Sequence, residues 1–287
     1  MKIGVRCSPL HLKSDFPGLV TWLAENDFDS VDLMDVDANA LATATQAGLV
    51  AGSFDAPSLA LTLSPDEGQR AQAVAELKTD LAKAADLGLK TLFACFVPPA
   101  QDKSKAENFE IWKSVYVDLV PYAENLGLRI AMEPYPGPPP HYPTLGVTPE
   151  HWRAMFEAVP SPALGICYDP SHMVRLGIDY MRVLDEFGDR VHHVHAKDCA
   201  MLPENQYLQG RLPPSFGRPE HRCSEGWWRY CIPGAGEVDW TAVVAKLLSL
   251  GYDDAYSIEL EDHYYMDDGD GNRLGLSSAR DFLRALS

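Results

Sequence analysis

The sequence has none of the features of a membrane or secreted protein. Its 287 residues contain no run of about 18 consecutive apolar residues, so we expect no transmembrane helix. The first ten residues, MKIGVRCSPL, include no long apolar stretch of the kind found in secretory signal peptides. These absences predict a cytoplasmic protein with no membrane partner.

Basic side chains are scarce relative to acidic ones. The sequence has 24 Lys and Arg against 41 Asp and Glu, which gives a formal net charge of −17. A charge of this sign and size opposes non-specific binding to nucleic acid and to anionic membranes. The balance therefore excludes nucleic acid as an expected partner, while a local basic pocket for a small anionic substrate stays compatible with it.

Cysteines are few and show no CxxC pair. Three of them (Cys7, Cys95 and Cys167) lie in apolar, strand-like segments, where small buried thiols are common. We expect reduced thiols in a cytoplasmic setting. A zinc site formed by Cys199, Cys223 and Cys231 is the alternative, but their spacing matches no usual ligand pattern.

Strand-like and helix-like segments alternate along the chain. The predicted strands cover residues 2–7, 30–35, 49–55, 90–96, 128–134, 164–169, 191–196 and 255–261. The predicted helices cover residues 17–27, 65–87, 108–127 (kinked or broken near Pro121), 148–159, 178–188, 239–251 and 276–286. Such alternation implies parallel strands with crossover helices. Eight units in this length predict one (β/α)8 barrel domain over residues 1–287. A doubly wound open sheet is the alternative, and the lack of a GxGxxG motif after the first strand disfavours its dinucleotide-binding form.

Two long segments interrupt the alternation, at about residues 134–147 and 199–238. Both follow the carboxyl ends of predicted strands, where barrel enzymes build their active sites. Long loops without regular structure are uncommon in compact domains unless they serve a function. We therefore expect both loops to border the site.

The last four predicted strands each end in acidic or imidazole side chains. These are Glu133, then Asp169 with His172, then His195 with Lys197 and Asp198, and finally Glu259 with Glu261. In a closed barrel such positions converge on the axis, and carboxylates forced together repel unless a cation lies among them or they bind protons. Three carboxylates and one imidazole suit Mn²⁺, Mg²⁺ or Co²⁺. The pattern thus predicts a divalent metal site, although any one of these residues alone is as compatible with a solvated rim position or a helix cap.

Other motifs carry weaker signals. His193 is expected one layer below His195, either as a buried hydrogen-bonded histidine or as a support for the site, whereas His192 faces the outer helices. In the segment WWRY (227–230), Trp228 and Arg229 belong either to the core or to a pocket wall that binds sugar faces and anionic groups. The segment DDGDGN (267–272) is interpreted as a solvated turn, because a calcium loop needs Gly and Glu at positions that this sequence does not supply.

Five blocks of the sequence resemble a known family. The blocks LVPYAENLGLRIAMEPYP, GICYDPSHMVRLG, HVHAKD, IPGAGEVDW and YSIELED resemble the sugar phosphate isomerase/epimerase family of the xylose isomerase-like TIM barrel superfamily. The resemblance covers most of residues 110–262, whereas the N-terminal third matches only in its alternation of strands and helices. It implies a (β/α)8 barrel with one divalent metal ion, often Mn²⁺, and a small sugar substrate. Relatives commonly assemble as dimers or tetramers, so a homo-oligomer is expected.

The resemblance also implies roles for individual residues. The metal ligands would be Glu133, Asp169, His195 and Glu259, with Glu133 and Glu259 also acting as the catalytic acid and base. His172 would contact a substrate oxygen, and Lys197 would line the pocket. There are two departures: Asp55 stands where many relatives carry a histidine, and Met201 stands where some epimerases carry an arginine. These departures bear on the substrate more than on the metal site.

The chemistry expected of such a site is proton transfer next to a carbonyl group. A metal ion bound to the carbonyl oxygen and a neighbouring hydroxyl stabilises the enediolate, and a carboxylate removes the proton. Two carboxylates on opposite faces give epimerisation, and one that shuttles between adjacent carbons gives isomerisation. If a leaving group lies β to the enediolate, a lyase or dehydratase results. Cleavage of C-glycosides of 3-keto-sugars is one such reaction.

Two further functions are compatible with the barrel. A DNA-repair endonuclease of the same superfamily would need several zinc ions and more histidines at strand ends, and its duplex substrate conflicts with the net charge. A non-catalytic sugar-binding subunit is the other alternative, against which the complete set of metal ligands argues.

Overall fold

The computed structural model describes residues 1–7, 15–100 and 102–286, and this part of the chain contains ten β-strands. Their bounds are β1 Lys2–Arg6, β2 Ser30–Leu33, β3 Val50–Phe54, β4 Thr91–Ala94, β5 Arg129–Met132, β6 Leu164–Tyr168, β7 Val191–Ala196, β8 Asp198–Met201, β9 Trp228–Cys231 and β10 Ala255–Glu259. Eight of them close into a parallel barrel in the order β1-β10-β7-β6-β5-β4-β3-β2, and β8 and β9 form a separate antiparallel pair. Because β1 pairs with both β2 and β10, the sheet has no free edge. The (β/α)8 barrel is confirmed, and the open-sheet alternative is wrong.

Helices surround the barrel. Their bounds are α1 Phe16–Glu25, α2 Ala38–Gln46, α3 Glu67–Asp86, α4 Lys105–Asn125, α5 Pro149–Ala158, α6 Pro170–Leu176, α7 Tyr180–Phe187, α8 Pro203–Gln209, α9 Trp240–Ser249 and α10 Gly269–Arg284. Short 3-10 helices cover Pro57–Leu61, Gly188–Arg190 and His263–Tyr265. Except at α8, each of these α-helices begins after an Asp, Ser or Thr whose side chain accepts a hydrogen bond from a backbone N–H of the first turn. Such caps satisfy N–H groups that have no partner within the helix.

The structure differs from the sequence-based prediction in several helices. Helices α2, α6 and α8 are absent from the prediction, because they are short and lie next to segments with loop-like composition. Helix α4 continues through Pro121, so the predicted break at this residue is wrong. The carbonyl that loses its N–H partner there belongs to Val117, which is 42% exposed and lies on the solvent side of the helix. The predicted turn at 267–272 is instead the start of α10, where Asp268 accepts a hydrogen bond from the N–H of Gly271 at 2.7 Å.

A buried polar layer lies inside the barrel below its carboxyl-terminal mouth. Asp32 on β2 is fully buried and accepts hydrogen bonds from the N–H of Ser53 at 2.9 Å and from Ser257 Oγ at 3.1 Å. Its second oxygen lies 3.1 Å from His193 Nε2, so His193 is buried and hydrogen-bonded. This arrangement holds the pKa of Asp32 at about 2: burial favours the neutral acid, but His193, His195 and Arg6 together outweigh it. His192 faces outward and contacts the carbonyl of Pro162 at 2.9 Å.

The long segment after β7 is anchored by Asp198. Its carboxylate accepts hydrogen bonds from the N–H groups of Gly234 and Val238 at 3.1 and 3.0 Å and from the indole of Trp240 at 3.2 Å. A Cβ at Gly236 would lie 2.3 Å from this carboxylate, so only glycine fits there. Asp198 therefore joins the two ends of the segment that carries β8, α8 and β9, instead of lining the mouth beside Lys197.

Candidate active site

The four predicted metal ligands meet at the carboxyl-terminal mouth of the barrel. Glu133, Asp169 and His195 are at most 3% exposed, and the side chain of Glu259 is 12% exposed. His195 Nδ1 lies 3.2 Å from Glu133 Oε2, 3.4 Å from Glu259 Oε2 and 4.0 Å from Asp169 Oδ2. Each side chain follows or ends a barrel strand, and parallel strands bring their carboxyl ends to one face.

Several atoms in this cluster are buried without a hydrogen-bond partner. They are both oxygens of Glu133, Oδ2 of Asp169 and both ring nitrogens of His195. Buried polar atoms are nearly always hydrogen-bonded, and leaving one unpaired costs about 1–3 kcal/mol. A divalent cation would satisfy such a set, because carboxylate oxygens and imidazole nitrogens are its usual ligands. The donor set therefore fits a metal ion.

The charges in the cluster also favour a cation. Burial raises the pKa of Asp169 to about 7, although Lys197 acts in the opposite direction. Burial also raises the pKa of Glu133 and of Glu259. His195 and His172 together more than offset this effect at Glu133, as Lys197 and His195 do at Glu259, so both pKa values lie below the ordinary range. Burial thus penalises the charged form of all three acids, and a cation among them would offset that penalty.

Lys197 is the cation that neutralises much of this charge. Its ammonium group is 1% exposed, lies 3.2 Å from Asp169 Oδ2 and 3.0 Å from Glu261 Oε2, and donates a hydrogen bond to Glu259. Two of the four candidate metal ligands thus contact Lys197. The lysine lies in the site, as the sequence predicted, but its present partners are carboxylates.

His172 is placed to donate a hydrogen bond into the site. Arg175 Nη1 donates to the hydroxyl of Tyr230 at 2.9 Å, and that hydroxyl is hydrogen-bonded to His172 Nδ1. Tyr230 is buried, and within the described residues its proton has no acceptor other than Nδ1. With Nδ1 as the acceptor, a neutral His172 carries its proton on Nε2. This nitrogen lies 2.9 Å from Glu133 Oε1 without hydrogen-bonding geometry and 3.4 Å from Lys197 Nζ.

This proton position separates the two imidazoles of the site. The ligand atoms of Glu133, Asp169, His172 and Glu259 lie within 4.8 Å of one another, and an overlapping group joins Glu133 with Cys167 and His195. Geometry alone admits either imidazole as a ligand. Because Nε2 of His172 carries a proton while both nitrogens of His195 lack partners, His195 is the better ligand. No group of this kind in the described ranges includes Cys199, Cys223 or Cys231.

A cavity of about 630 Å³ opens above the cluster. Glu133, His172, Lys197, Trp228 and Glu259 line it. Trp228 is 2% exposed, with the guanidinium of Arg175 3.9 Å from its ring centre. The tryptophan therefore forms part of the cavity wall and is packed in the core of the inserted segment.

Arg229, which was predicted to bind substrate, lies outside the cavity. Its guanidinium is 3.2 Å from Asp262 Oδ1 and 4.8 Å from the ring centre of Tyr264, and it is not among the residues that line the cavity. Alternating residues of β9 point to opposite faces, so Trp228 and Tyr230 face the cavity while Arg229 faces away. Arg175, which sequence reasoning missed, lies on the cavity side.

Three other cavity residues also escaped prediction. Arg6 lies at the end of β1, pairs with Asp55 through two hydrogen bonds of 2.6 and 3.0 Å and covers the ring of Phe93. The inspection of strand ends would have found Arg6 if it had included basic side chains on the first strands as well. Tyr230 and Glu225 had no comparable signal, since their positions depend on the path of the inserted segment. Asp55, one of the two departures noted in the sequence, therefore forms an ion pair with Arg6.

Residues 20–286 match the family described as "Xylose isomerase-like TIM barrel". The chain belongs to this family, which confirms the resemblance of its sequence blocks. Across the described residues, no helix is long and apolar enough to cross a membrane.

Two curated proteins are similar to parts of this chain. The uncharacterized protein YfiH of Bacillus subtilis is 30% identical over 155 residues, which are 53% of this chain and 45% of that protein. Inosose dehydratase of Geobacillus thermodenitrificans is 26% identical over 122 residues, or 42% of this chain and 39% of that protein. The match thus spans less than half of the length of either relative.

Solved structures match the whole chain. A D-psicose 3-epimerase structure in the presence of D-fructose superposes with a TM-score of 0.72 at 16% identity, over 100% of this chain and 99% of that one. The 3-keto-D-glucoside 4-epimerase YcjR from E. coli gives 0.67 at 17% identity, over 99% of both chains. The IolI protein with a bound zinc atom gives 0.67 at 20% identity, over 100% of this chain and 96% of that one. At these identities the likeness shows the fold alone.

Proposed function

We propose that the protein is a divalent-metal-dependent isomerase or epimerase of a sugar or keto-sugar, with Mn²⁺ as the metal, or else Mg²⁺ or Co²⁺. The observation that carries the proposal is the set of buried atoms without hydrogen-bond partners on Glu133, Asp169 and His195. The curated relatives and the similar structures named above support a small sugar as substrate, because several of them are named as enzymes of sugars or inososes.

In this proposal the metal supplies Lewis acidity, which lowers the energy of the negative charge that develops on a substrate carbonyl oxygen. Glu133 and Glu259 hold and move the proton. They follow β5 and end β10, two barrel strands that are separated by β6 and β7, so their carboxylates reach the substrate carbon from different directions. This placement suits removal of a proton on one side and its return on the other. His172 donates its Nε2 proton to a substrate oxygen and thereby orients the sugar.

A lyase or dehydratase is the second candidate, and Glu261 is the observation that favours it. Glu261 lines the cavity, and burial raises its pKa even though Lys197 lowers it. A carboxylic acid whose pKa is raised holds its proton to higher pH and can protonate a leaving group. The partial similarity to inosose dehydratase points the same way.

Hydrogen exchange tests the proposed function. The Mn²⁺-loaded protein is incubated in D₂O with a panel of ketoses and 3-keto-glycosides, and the sugars are analysed by NMR and mass spectrometry. Deuterium at a single carbon is the expected result, together with a new epimer or isomer. An eliminated product would select the lyase instead. Absence of exchange and of product across the panel would contradict both and favour a sugar-binding protein.

A further inference from the structure

The candidate cavity consists of two chemically different parts. Its inner part holds the metal ligands and is lined by buried polar side chains. Besides the partly exposed Ser224 and Glu261, whose charge is paired with Lys197, its outer part is lined by the partly or well exposed residues Tyr135, Pro139, Pro213 and Pro219. Tyr135 and Pro139 belong to the loop after β5, and the other two prolines belong to the segment after β7. The whole volume of about 630 Å³ falls in the range of roughly 300–1,000 Å³ that holds drug-sized ligands, which is more than one sugar ring occupies.

The cations of the cavity are already neutralised. Arg6 is paired with Asp55, and Arg175 with Glu225. Lys197 contacts three carboxylates. Within the described residues, the cavity lining contains no cation that lacks a carboxylate partner. A phosphate or carboxylate on the substrate would have to displace one of these pairs, which costs free energy in a buried site.

The outer wall has the chemistry that binds uncharged rings. The C–H faces of proline and the ring of tyrosine pack on aromatic or apolar rings, and they offer no charge to an ionic group. Tyr135 joins the two parts of the cavity, because its ring centre lies 5.7 Å from that of His172.

We propose that the outer part is a subsite for an uncharged apolar ring attached to the sugar, so that the substrate is a glycoside with a cyclic aglycone and not a phosphorylated or free monosaccharide. The proposal rests on the proposed function, because the inner part must hold the sugar. Burial of one phenyl ring in a partly open subsite is expected to tighten binding roughly tenfold.

Calorimetric titration of the Mn²⁺-loaded protein tests the subsite directly. The probes are methyl, phenyl and 4-carboxyphenyl 3-keto-β-D-glucopyranoside, which differ only in the aglycone. The phenyl glycoside should bind about tenfold more tightly than the methyl glycoside, and the carboxyphenyl glycoside more weakly than the phenyl one. Equal affinities for the methyl and phenyl probes would overturn the subsite, and tighter binding of the carboxylate would overturn its uncharged character.

Substitutions then locate the effect. Tyr135→Ala should remove most of the preference for phenyl, and Tyr135→Phe should keep it. The matched control is Tyr207→Ala, because Tyr207 lies in the segment after β7, which also carries Pro213 and Pro219, but is 85% exposed and outside the cavity lining. An unchanged phenyl preference in Tyr135→Ala would contradict the assignment of the outer wall. If none of the probes binds while exchange of deuterium into a simple ketose proceeds, the subsite is wrong and the proposed function stands.

Discussion

Thermal unfolding with and without a divalent metal tests the candidate centre, and Asp169→Asn is the most informative variant. Asp169 Oδ1 accepts hydrogen bonds from the N–H of Ser171 at 2.9 Å and from its hydroxyl at 2.6 Å. An asparagine keeps an oxygen for this helix cap but replaces Oδ2, which has no hydrogen-bond partner and lies 3.2 Å from the Lys197 ammonium. The substitution therefore removes a metal ligand while it leaves the start of α6 intact.

The size of the effect follows from linkage. A metal present at 100 times its dissociation constant stabilises the folded state by about 2.7 kcal/mol. Unfolding entropy of about 2.1 cal/mol/K per residue gives roughly 0.6 kcal/mol/K for a chain of 287 residues. The metal should therefore raise the Tm of the EDTA-treated protein by about 4–5 °C, and metal analysis should find one ion per chain. Asp169→Asn should abolish the increase.

The Tm of metal-free Asp169→Asn provides a second test of the candidate metal centre. Because burial raises the pKa of Asp169 to about 7, its ionised form opposes folding at pH 8. Metal-free Asp169→Asn should then melt no lower than the metal-free parent. Asp179→Asn is the matched control, since Asp179 caps α7 outside the site, and it should retain the full metal-dependent increase. If the metal still raised the Tm of Asp169→Asn, or did not raise the Tm of the parent protein, the assignment of Asp169 as a metal ligand would be refuted.

Three other outcomes are expected. Glu259→Gln should abolish deuterium exchange, with at least a 100-fold loss of rate, and leave the circular dichroism spectrum unchanged; a variant with normal exchange would remove the acid/base role. Lys197→Met should bind Mn²⁺ more tightly by calorimetry, because the ammonium group contacts two candidate ligands, whereas Lys197→Arg should not; weaker binding by the methionine variant would contradict this competition. Burial lowers the pKa of His192 from 6.5 to about 4. As the pH falls, this histidine is therefore protonated in the unfolded chain before it is protonated in the folded one. Its contribution should lower the free energy of unfolding by about 2 kcal/mol between pH 7.5 and 5. Urea titration should show a smaller decrease in the free energy of unfolding for His192→Gln than for the parent. His141→Gln, a control at an exposed histidine, should show the same decrease as the parent.

The sequence alone predicts the barrel because its signals are local. Each predicted strand is a short apolar segment, and the caps and apolar spacing of the long helices are visible within a few residues. The convergence of Glu133, Asp169, His195 and Glu259 also follows from sequence, because parallel strands of a closed barrel bring equivalent positions to one end. The position of His193 one layer below His195 follows from the two-residue repeat of a strand.

The rest depends on contacts between residues that are distant in sequence. Arg175 meets Tyr230 and Glu225 only after the inserted segment has folded back over α6, and nothing local indicates that path. The side of β9 that faces the cavity is set by its pairing with β8, so Trp228 and not Arg229 became a wall residue. Lys197 was predicted to line the pocket, but only the tertiary structure shows that carboxylates from two different strands hold its charge. Local patterns thus determined which side chains reach the mouth of the barrel, and long-range packing decided their partners, because electrostatic contacts depend on distance in space and not on separation along the chain.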